Sequence, residues 1–426
     1  MARRQRRRRT RPVPRPLCPR SASASHPARV HPAPTLAPSA PQVAAQLRAL
    51  CPSAVLHGTS SCRGCITNDG QRRLGLLGIH DPHGRYASGL GRGAAAAATA
   101  REAGRAAARS ALANAGEGVL HEMPAVGLIN GAPGAEEEVL RGIEDVLGSG
   151  VIAVGGSCAD DAYDGSWWCC SASPAAAAAE VASDGVAVTV LWPSVRAQLI
   201  SSSCFEPTAA RGVATRAEGR VLWEVDGVPA AEWYARHGDA DFGRELELAR
   251  AAAAAAAAAT VPGAPPPPPR NVLDVTTLGP LGRRAAALGS DSLALAAADL
   301  TLVHPARLVP FADDPAKFGL ENFANFEPGD AVVLMGAQRG LETLETHPQN
   351  VMGSEGLARG TAGCLVVYCA GCALKIEARL QRVAEAFSYS LERPFVGMFT
   401  YGEQFRTRAG ANQHANLMYA VLAFGD

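Results

Sequence analysis

Residues 126–161 read VGLINGAPGAEEEVLRGIEDVLGSGVIAVGGSCADD, and residues 365–405 read LVVYCAGCALKIEARLQRVAEAFSYSLERPFVGMFTYGEQF. Each stretch is an apolar strand, a small-residue loop, an amphipathic helix and a second strand that breaks into glycine and polar residues. In the first, Val139, Leu140, Ile143, Val146 and Leu147 recur at helical spacing over Glu136–Leu147. Strand–helix–strand units place their two strands in parallel through a crossover. The loops after the strands then gather at the C-terminal edge of a sheet, where open α/β sheets bind ligands. The segment 41–64, PQVAAQLRALCPSAVLHGTSSCRG, matches only the later half of this unit: helix, turn, strand, Gly-Thr-Ser.

The fold class expected is therefore mixed α/β (α+β), with two related domains built on strand–helix–strand units and mixed β-sheets. The domains expected are a basic extension over 1–41, a first domain over 42–206 and a second over 207–426. The second carries an alanine–proline insertion at about 250–270. Further strands are expected at Ala54–His57, Leu74–Ile79, Val126–Asn130, Val151–Val154, Val186–Trp192, Leu300–His304, Ala331–Met335, Cys364–Tyr368, Phe395–Thr400 and Leu417–Phe424. Val221–Val225 with Asp226-Gly227 reads as a hairpin. Helices are expected over Val43–Leu50, Ala94–Ala113, Trp233–Ala259 and about Leu374–Ser388. Gly89, Gly91 and Gly93 read as a flexible loop, because no acidic residue ends a following strand as a dinucleotide site requires. Trp167-Trp168 with Cys169-Cys170 reads as a packed hairpin tip.

Composition excludes several functions. The chain has 426 residues with 47% apolar and 19% charged residues, enough for a sizeable core. Its formal net charge of zero conceals an asymmetry. Residues 1–41 hold ten Arg and no Asp or Glu, so the remainder carries about −10. An acidic body is not a nucleic-acid-binding domain. The extension reads as disordered and resembles a transit peptide; a nuclear signal or an upstream mistranslation are alternatives. The localisations expected are thus cytoplasmic or organellar, with the nucleus possible. The only lysines, Lys317 and Lys375, precede no Ser or Thr, so no Walker A loop exists. No run of 18 strongly apolar residues suggests a membrane span.

The eleven cysteines include two CxxC pairs, Cys62–Cys65 and Cys369–Cys372. Small buried thiols are the reading preferred over zinc or redox sites. A thiol enzyme would use Cys369, its pKa lowered by a helix N-terminus, with His414 and Glu403 as partners. The loops Gly58–Ser61, Gly155–Asp161 and Thr400–Glu403 are expected to converge on one ligand cleft. Ser157, Asp160, Asp161, Tyr401 and Glu403 would supply its donors and acceptors.

These motifs resemble the FIST family, which pairs an N-terminal with a C-terminal FIST domain. The N-terminal likeness lies in Val154-Gly155-Gly156-Ser157-Cys158-Ala159-Asp160-Asp161 and in His57-Gly58-Thr59-Ser60. The C-terminal likeness lies in RVLWEVDGVPAAEWY (220–234), CLVVYCAG (364–371) and PFVGMFTYGE (394–403), the last being the most specific. His414 and Asn416 match a polar pair before the family's last strand. Cys372 stands where the family usually has Arg.

The resemblance covers about residues 43–426 and implies an intracellular sensory module. It would capture a small amino-acid-like metabolite and signal through a partner protein. An F-box-free adaptor in ubiquitin-linked turnover is the alternative, and a thiol or carboxylate enzyme the third reading. The ligand-binding residues it implies are Gly58, Thr59, Ser60, Asn130, Gly155, Gly156, Ser157, Asp160 and Asp161 from the first half. From the second come Cys369, Gly371, Thr400, Tyr401, Gly402, Glu403, His414 and Asn416. Ser157 with the Gly155 and Gly156 amides would hold a carboxylate. Asp160, Asp161 and Glu403 would hold an ammonium, and Tyr401 would close the pocket. No catalytic residue, metal or cofactor is expected, and neither nucleic acid nor membrane is expected as a partner.

Overall fold

Val126–Gly131 and Ile152–Ser157 pair in parallel across the helix Glu136–Leu147. Thr361–Cys369 and Phe395–Thr400 pair in parallel across two helices, Ala370–Lys375 and Leu380–Leu391. Both quoted segments thus form the units read from them, and the fold is mixed α/β. The computed structural model describes residues 39–116, 122–174, 176, 178–258, 269–285, 300–346, 360–407 and 410–425. The basic extension and most of the alanine–proline stretch lie outside the described residues.

Each parallel pair is the centre of a six-stranded sheet. The first sheet runs Asn412–Ala415, Glu403–Arg406, Ile152–Ser157, Val126–Gly131, Gly185–Trp192, Arg85–Arg92. The second runs Ala197–Ser202, Tyr419–Gly425, Thr361–Cys369, Phe395–Thr400, Cys65–Thr67, Gly70–Arg72. Strands are exchanged: the first sheet takes two from the end of the chain, and the second takes a hairpin from its beginning.

Side-chain alternation sets the layers, because successive residues of a strand face opposite ways. Cys364, Val366 and Tyr368 join the cluster that includes Val383, Ala384 and Phe387 of the helix Leu380–Leu391. Leu365 and Val367 face the other way and meet Val126, Val154 and Leu191 of the first sheet. The far side of the first sheet packs through Ile129, Ala153, Val186, Val188 and Val190 on the helices Ala97–Ala115 and Glu136–Leu147. The order is helices, sheet, sheet, helices. Strands buried on both faces read as continuous apolar runs, which is why Gly185–Trp192 was legible.

Beside these layers stands a nine-stranded antiparallel sheet from Glu206–Glu218 through Ala331–Gly336, with its own core around Trp233, Tyr234 and Phe242. A small sheet of Leu56–Thr59, Cys169–Ala172 and Glu180–Ala182 lies near the first six-stranded sheet. The hairpin at Asp226-Gly227 forms, with φ of 51° and 73° at its tip.

Four expectations are corrected. Leu74–Ile79 is no buried strand: Leu74, Leu76 and Ile79 are exposed, and the stretch has no ladder partner. Gly89 and Gly91 lie in the strand Arg85–Arg92, not in a flexible loop. A methyl on Gly91 would run into the Ala103 carbonyl, and one on Gly89 would crowd the backbone of Ala107 and Ala111. These glycines let an alanine-rich helix lie directly on the sheet. The single helix Trp233–Ala259 is two, Ala230–His237 and Ala240–Ala258, parted at Gly238. The helix near Leu374–Ser388 is likewise divided, breaking at Ile376.

Among the described residues, no helix is long and apolar enough to cross a membrane, and no three His, Cys, Asp or Glu side chains form a metal-ligating group. The described cysteines are free thiols; Cys51 is exposed and Cys204 half-buried, while the rest are buried.

Candidate functional site

The strand exchange brings the glycine-ended loops together. Glu403 pairs with Gly156 and Gln404 with Gly155, so the Thr-Tyr-Gly-Glu motif runs beside the Gly-Gly-Ser motif. Ser157 N–H donates to the Gly402 carbonyl at 2.9 Å, and Tyr401 N–H to the Ser157 carbonyl at 3.1 Å. The first loop joins them: Ala159 N–H donates to the Ser60 carbonyl at 3.2 Å, Thr59 Oγ1 lies 3.2 Å from Cys158 Sγ, and Phe399 N–H donates to Ser61 Oγ at 2.8 Å. Gly58 packs under Cys170, whose Sγ would be 2.7 Å from an added Cβ. Ser60 is tied to both backbone groups of Trp168.

Gly155 has φ of +150°, and a side chain there would collide with the Ile129 carbonyl. Gly155 and Gly156 sit inside the sheet with neighbours on both sides, so their backbone groups face partner strands. Asn130 Nδ2 donates to the Gly156 carbonyl at 2.7 Å, and its Oδ1 lies 2.9 Å from His57 Nε2. The other His57 nitrogen lies 2.8 Å from Thr189 Oγ1. With its ring enclosed, burial lowers the His57 pKa to about 4.

Behind the rim lies a buried charged group. Ser157 Oγ donates to Glu136 Oε1 at 2.8 Å and accepts from Gln404 Nε2 at 3.2 Å. Glu136 also pairs with Arg220, in the turn between the strands Glu206–Glu218 and Val221–Val225 of the nine-stranded sheet. Burial alone would raise the Glu136 pKa, but the Arg220 guanidinium, with the neighbouring His414 and the Ser157 bond, holds it down to about 2. His414 Nε2 lies 3.1 Å from the Phe323 carbonyl, and Asn416 Oδ1 accepts from His304 N–H at 3.1 Å. Gly402 (φ 106°) faces His414 and Asn416, leaving no space for a side chain.

Glu403 is wholly buried and accepts from Thr400 Oγ1 at 2.9 Å and from Met418 N–H at 3.0 Å. Burial raises its pKa to about 8 against the lowering effect of these bonds and of one from Cys369. Cys369 precedes the helix that holds Gly371, which packs on Leu417. The sequence expectation of a lowered Cys369 pKa is overturned. Burial, with the charge of Glu403, raises it well above the ordinary thiol value despite the helix N-terminus. A short helix end does not offset full desolvation.

The open part of the assembly is the mouth formed by the loops at Cys62–Arg63 and Asp160–Tyr163. Tyr401 spans it: its hydroxyl donates to the Asp160 carbonyl at 2.6 Å and lies 3.2 Å from Asp160 Oδ1. Tyr163 stacks on Tyr401 with centroids 5.9 Å apart, and Trp167 meets Tyr401 edge-on at 6.3 Å. Arg63 lies 3.0 Å from Glu377 and 3.9 Å from Asp161, and its N–H donates to Asp161. Arg63 and Tyr163 both hold left-handed backbone, with φ of 59° and 58°. Sequence reasoning singled out neither Arg63, Tyr163 nor Glu377 for the site. Arg63 adjoins the Gly58–Ser61 loop in sequence, which is the one signal available beforehand. Positive φ in a bulky residue is invisible until the surrounding contacts are known.

Of the residues named from sequence, those from Gly58 to Ser60, Gly155 to Asp161 and Thr400 to Glu403 meet in one assembly. Asp161 and Tyr401 face its mouth. Glu403, Thr400, Cys369, His414 and Asn416 form its buried floor and flank, with Gly371 half-buried beside them.

Two family models match this chain, the FIST N domain over residues 33–228 and the FIST C domain over residues 275–406. The chain belongs to the FIST family. FIST domains are sensory, ligand-binding signalling domains. Among curated proteins, none matches the chain. In this FIST protein both halves contribute to the mouth: Arg63, Asp160, Asp161 and Tyr163 lie within the span of the N-domain match, and Glu377 and Tyr401 within that of the C-domain match.

Proposed function

We propose that this FIST protein captures a small amino-acid-like metabolite at the mouth beneath Tyr401 and passes the signal to a partner protein. The observation that carries this is the pairing at Arg63. A guanidinium flanked by two partly exposed carboxylates, Asp161 and Glu377, offers complementary charges to both ends of a zwitterion. Tyr163 and Trp167 supply apolar faces beside it. Two bulky residues held at positive φ on facing loops add support, because such strain gathers where structure serves binding.

In this reading Arg63 takes the ligand's carboxylate and Asp161 its ammonium, while Ser157 and Glu403 brace the loops from below. Non-covalent capture needs no nucleophile. The test is a thermal-shift screen of the full chain against the common amino acids, since a ligand that binds the native state raises the midpoint by mass action. At least one amino acid is expected to raise the midpoint. Arg63→Ala and Asp161→Asn are each expected to abolish that rise. A flat screen, or a rise untouched by both substitutions, defeats the reading.

A further inference from the structure

We infer that the straight apolar segment Leu74–His80 is a self-association surface, along which two copies of this chain pair antiparallel about a two-fold axis at Leu77.

The segment leaves the strand Gly70–Arg72, the last of the second six-stranded sheet, and reaches Asp81 with no turn or bend between Leu74 and His80. Among the described residues, none from Arg73 to His80 forms a hydrogen bond or ion pair. A straight chain with unused backbone N–H and C=O groups is a strand without a neighbour. Its side chains suit one. A side chain at Gly75 would run into Val396 and Cys65, whereas one at Gly78 would meet open space. Leu74 and Leu76 face solvent, 61% and 69% exposed, and Ile79 is exposed beyond them. No charge and no proline lies between Leu74 and Ile79, so the devices that keep exposed edges apart are missing.

The charges at the two ends select the partner. Arg73 is exposed and unpaired among the described residues. Asp81 accepts from Gly84, Tyr86 and Ser194, all neutral donors, so its charge is uncompensated. Arg73 and Asp81 lie at equal distances in sequence on either side of Leu77. In an antiparallel pair with Leu77 opposite itself, Arg73 of each copy stands opposite Asp81 of the other, and opposite charges across a ladder attract. A two-fold axis makes this contact twice, which is the self-complementarity an isologous interface needs. The Leu76 side chains of the two copies become diagonal neighbours on the outward face. A foreign strand of uniform charge would match one end only.

One strand pairing is a small interface, so the dimer forms with rising concentration and is not obligate. Sedimentation of the full chain from about 1 to about 200 µM tests this, and a monomer–dimer equilibrium is expected within that range. Leu76→Asp and Arg73→Asp are each expected to weaken it about tenfold or more, with the circular dichroism spectrum unchanged because both side chains are exposed. In a chain carrying Cys18→Ser and Cys51→Ser, Leu77→Cys is expected to give a disulfide-linked dimer on mild oxidation, because its two copies face each other. Leu74→Cys is expected not to, since its two copies stand about 20 Å apart along the ladder. A chain that stays monomeric throughout overturns the inference and gives the segment to a different partner. A dimer indifferent to Leu76→Asp overturns the surface, and one indifferent to Arg73→Asp overturns the charge pairing. A Leu77→Cys variant that cross-links no better than Leu74→Cys overturns the axis.

Discussion

Glu403 is the most consequential single residue, because the motif that marks the family also buries a carboxyl completely. Its pKa rises from 4.5 to about 8, chiefly through burial. The direction of the linkage follows. Below the ordinary value both folded and unfolded chains hold the proton, and the group costs nothing. Between about 4.5 and 8 the folded chain holds a proton that the unfolded chain has released, so stability falls as pH rises. Above about 8 the full cost is present, at most a few kcal/mol. Glu403→Gln keeps an acceptor for the Met418 N–H, and the Thr400 hydroxyl can turn to accept from its Nε2, all without the charge. The variant's melting midpoint is expected to gain on the wild type steadily from pH 5 to pH 8. Thermal melts over that range decide it; a constant difference would mean that the Glu403 pKa is not raised in the folded protein. Glu136 acts oppositely. Held near 2 despite its burial, it contributes stability above the ordinary 4.5 that is lost as pH falls toward 2.

At the scale of elements, small residues decide how closely layers approach. Gly91 lets the strand Arg85–Arg92 touch the helix Ala97–Ala115, and Gly104 and Gly142 let that helix touch Glu136–Leu147 through backbone carbonyls. Gly91→Ala is expected to destabilise by about 1–3 kcal/mol, because its methyl meets backbone that cannot give way. Gly243→Ala is the contrast. It lies in the helix Ala240–Ala258 with open space around it, and is expected to stabilise by about 0.5–1 kcal/mol. Denaturant midpoints of the two variants check both signs, and a neutral Gly91→Ala would show that the helix moves away at no cost.

The same contrast explains what was legible in the sequence. Glu136–Leu147 and Phe395–Thr400 have the bounds read from them, because their patterns are local and strong. Leu74–Ile79 misled because an apolar run predicts burial only if a partner strand exists. Gly89 and Gly91 misled because a loop and a close approach demand the same residue. At the site, the glycine-rich triplets and the Tyr401 motif were legible by their composition. Arg63, Tyr163 and Glu377 were not, since their roles come from contacts between segments about 100 to 300 residues apart.

For the whole molecule, the strand exchange makes the two matched regions interdependent. Remove everything after residue 206, and Ile152–Ser157 loses Glu403–Arg406 from its open side. Val126, Val154 and Leu191 then lose Leu365, Val367 and Leu422, the opposite wall of their shared cluster. The hairpin Cys65–Thr67 and Gly70–Arg72 loses the only strand it pairs with outside itself among the described residues, Phe395–Thr400. An exposed edge beside an exposed apolar face favours association over folding. A fragment of residues 42–206 is therefore expected to aggregate or to melt without a cooperative transition. Co-expressed with residues 207–426, it is expected to recover a single sharp transition, since the exchanged strands are then supplied in trans. A monomeric 42–206 fragment that melts cooperatively by itself would show that the first sheet does not need its borrowed strands. The mouth would then be a contact between two separate bodies, not a feature of one shared fold.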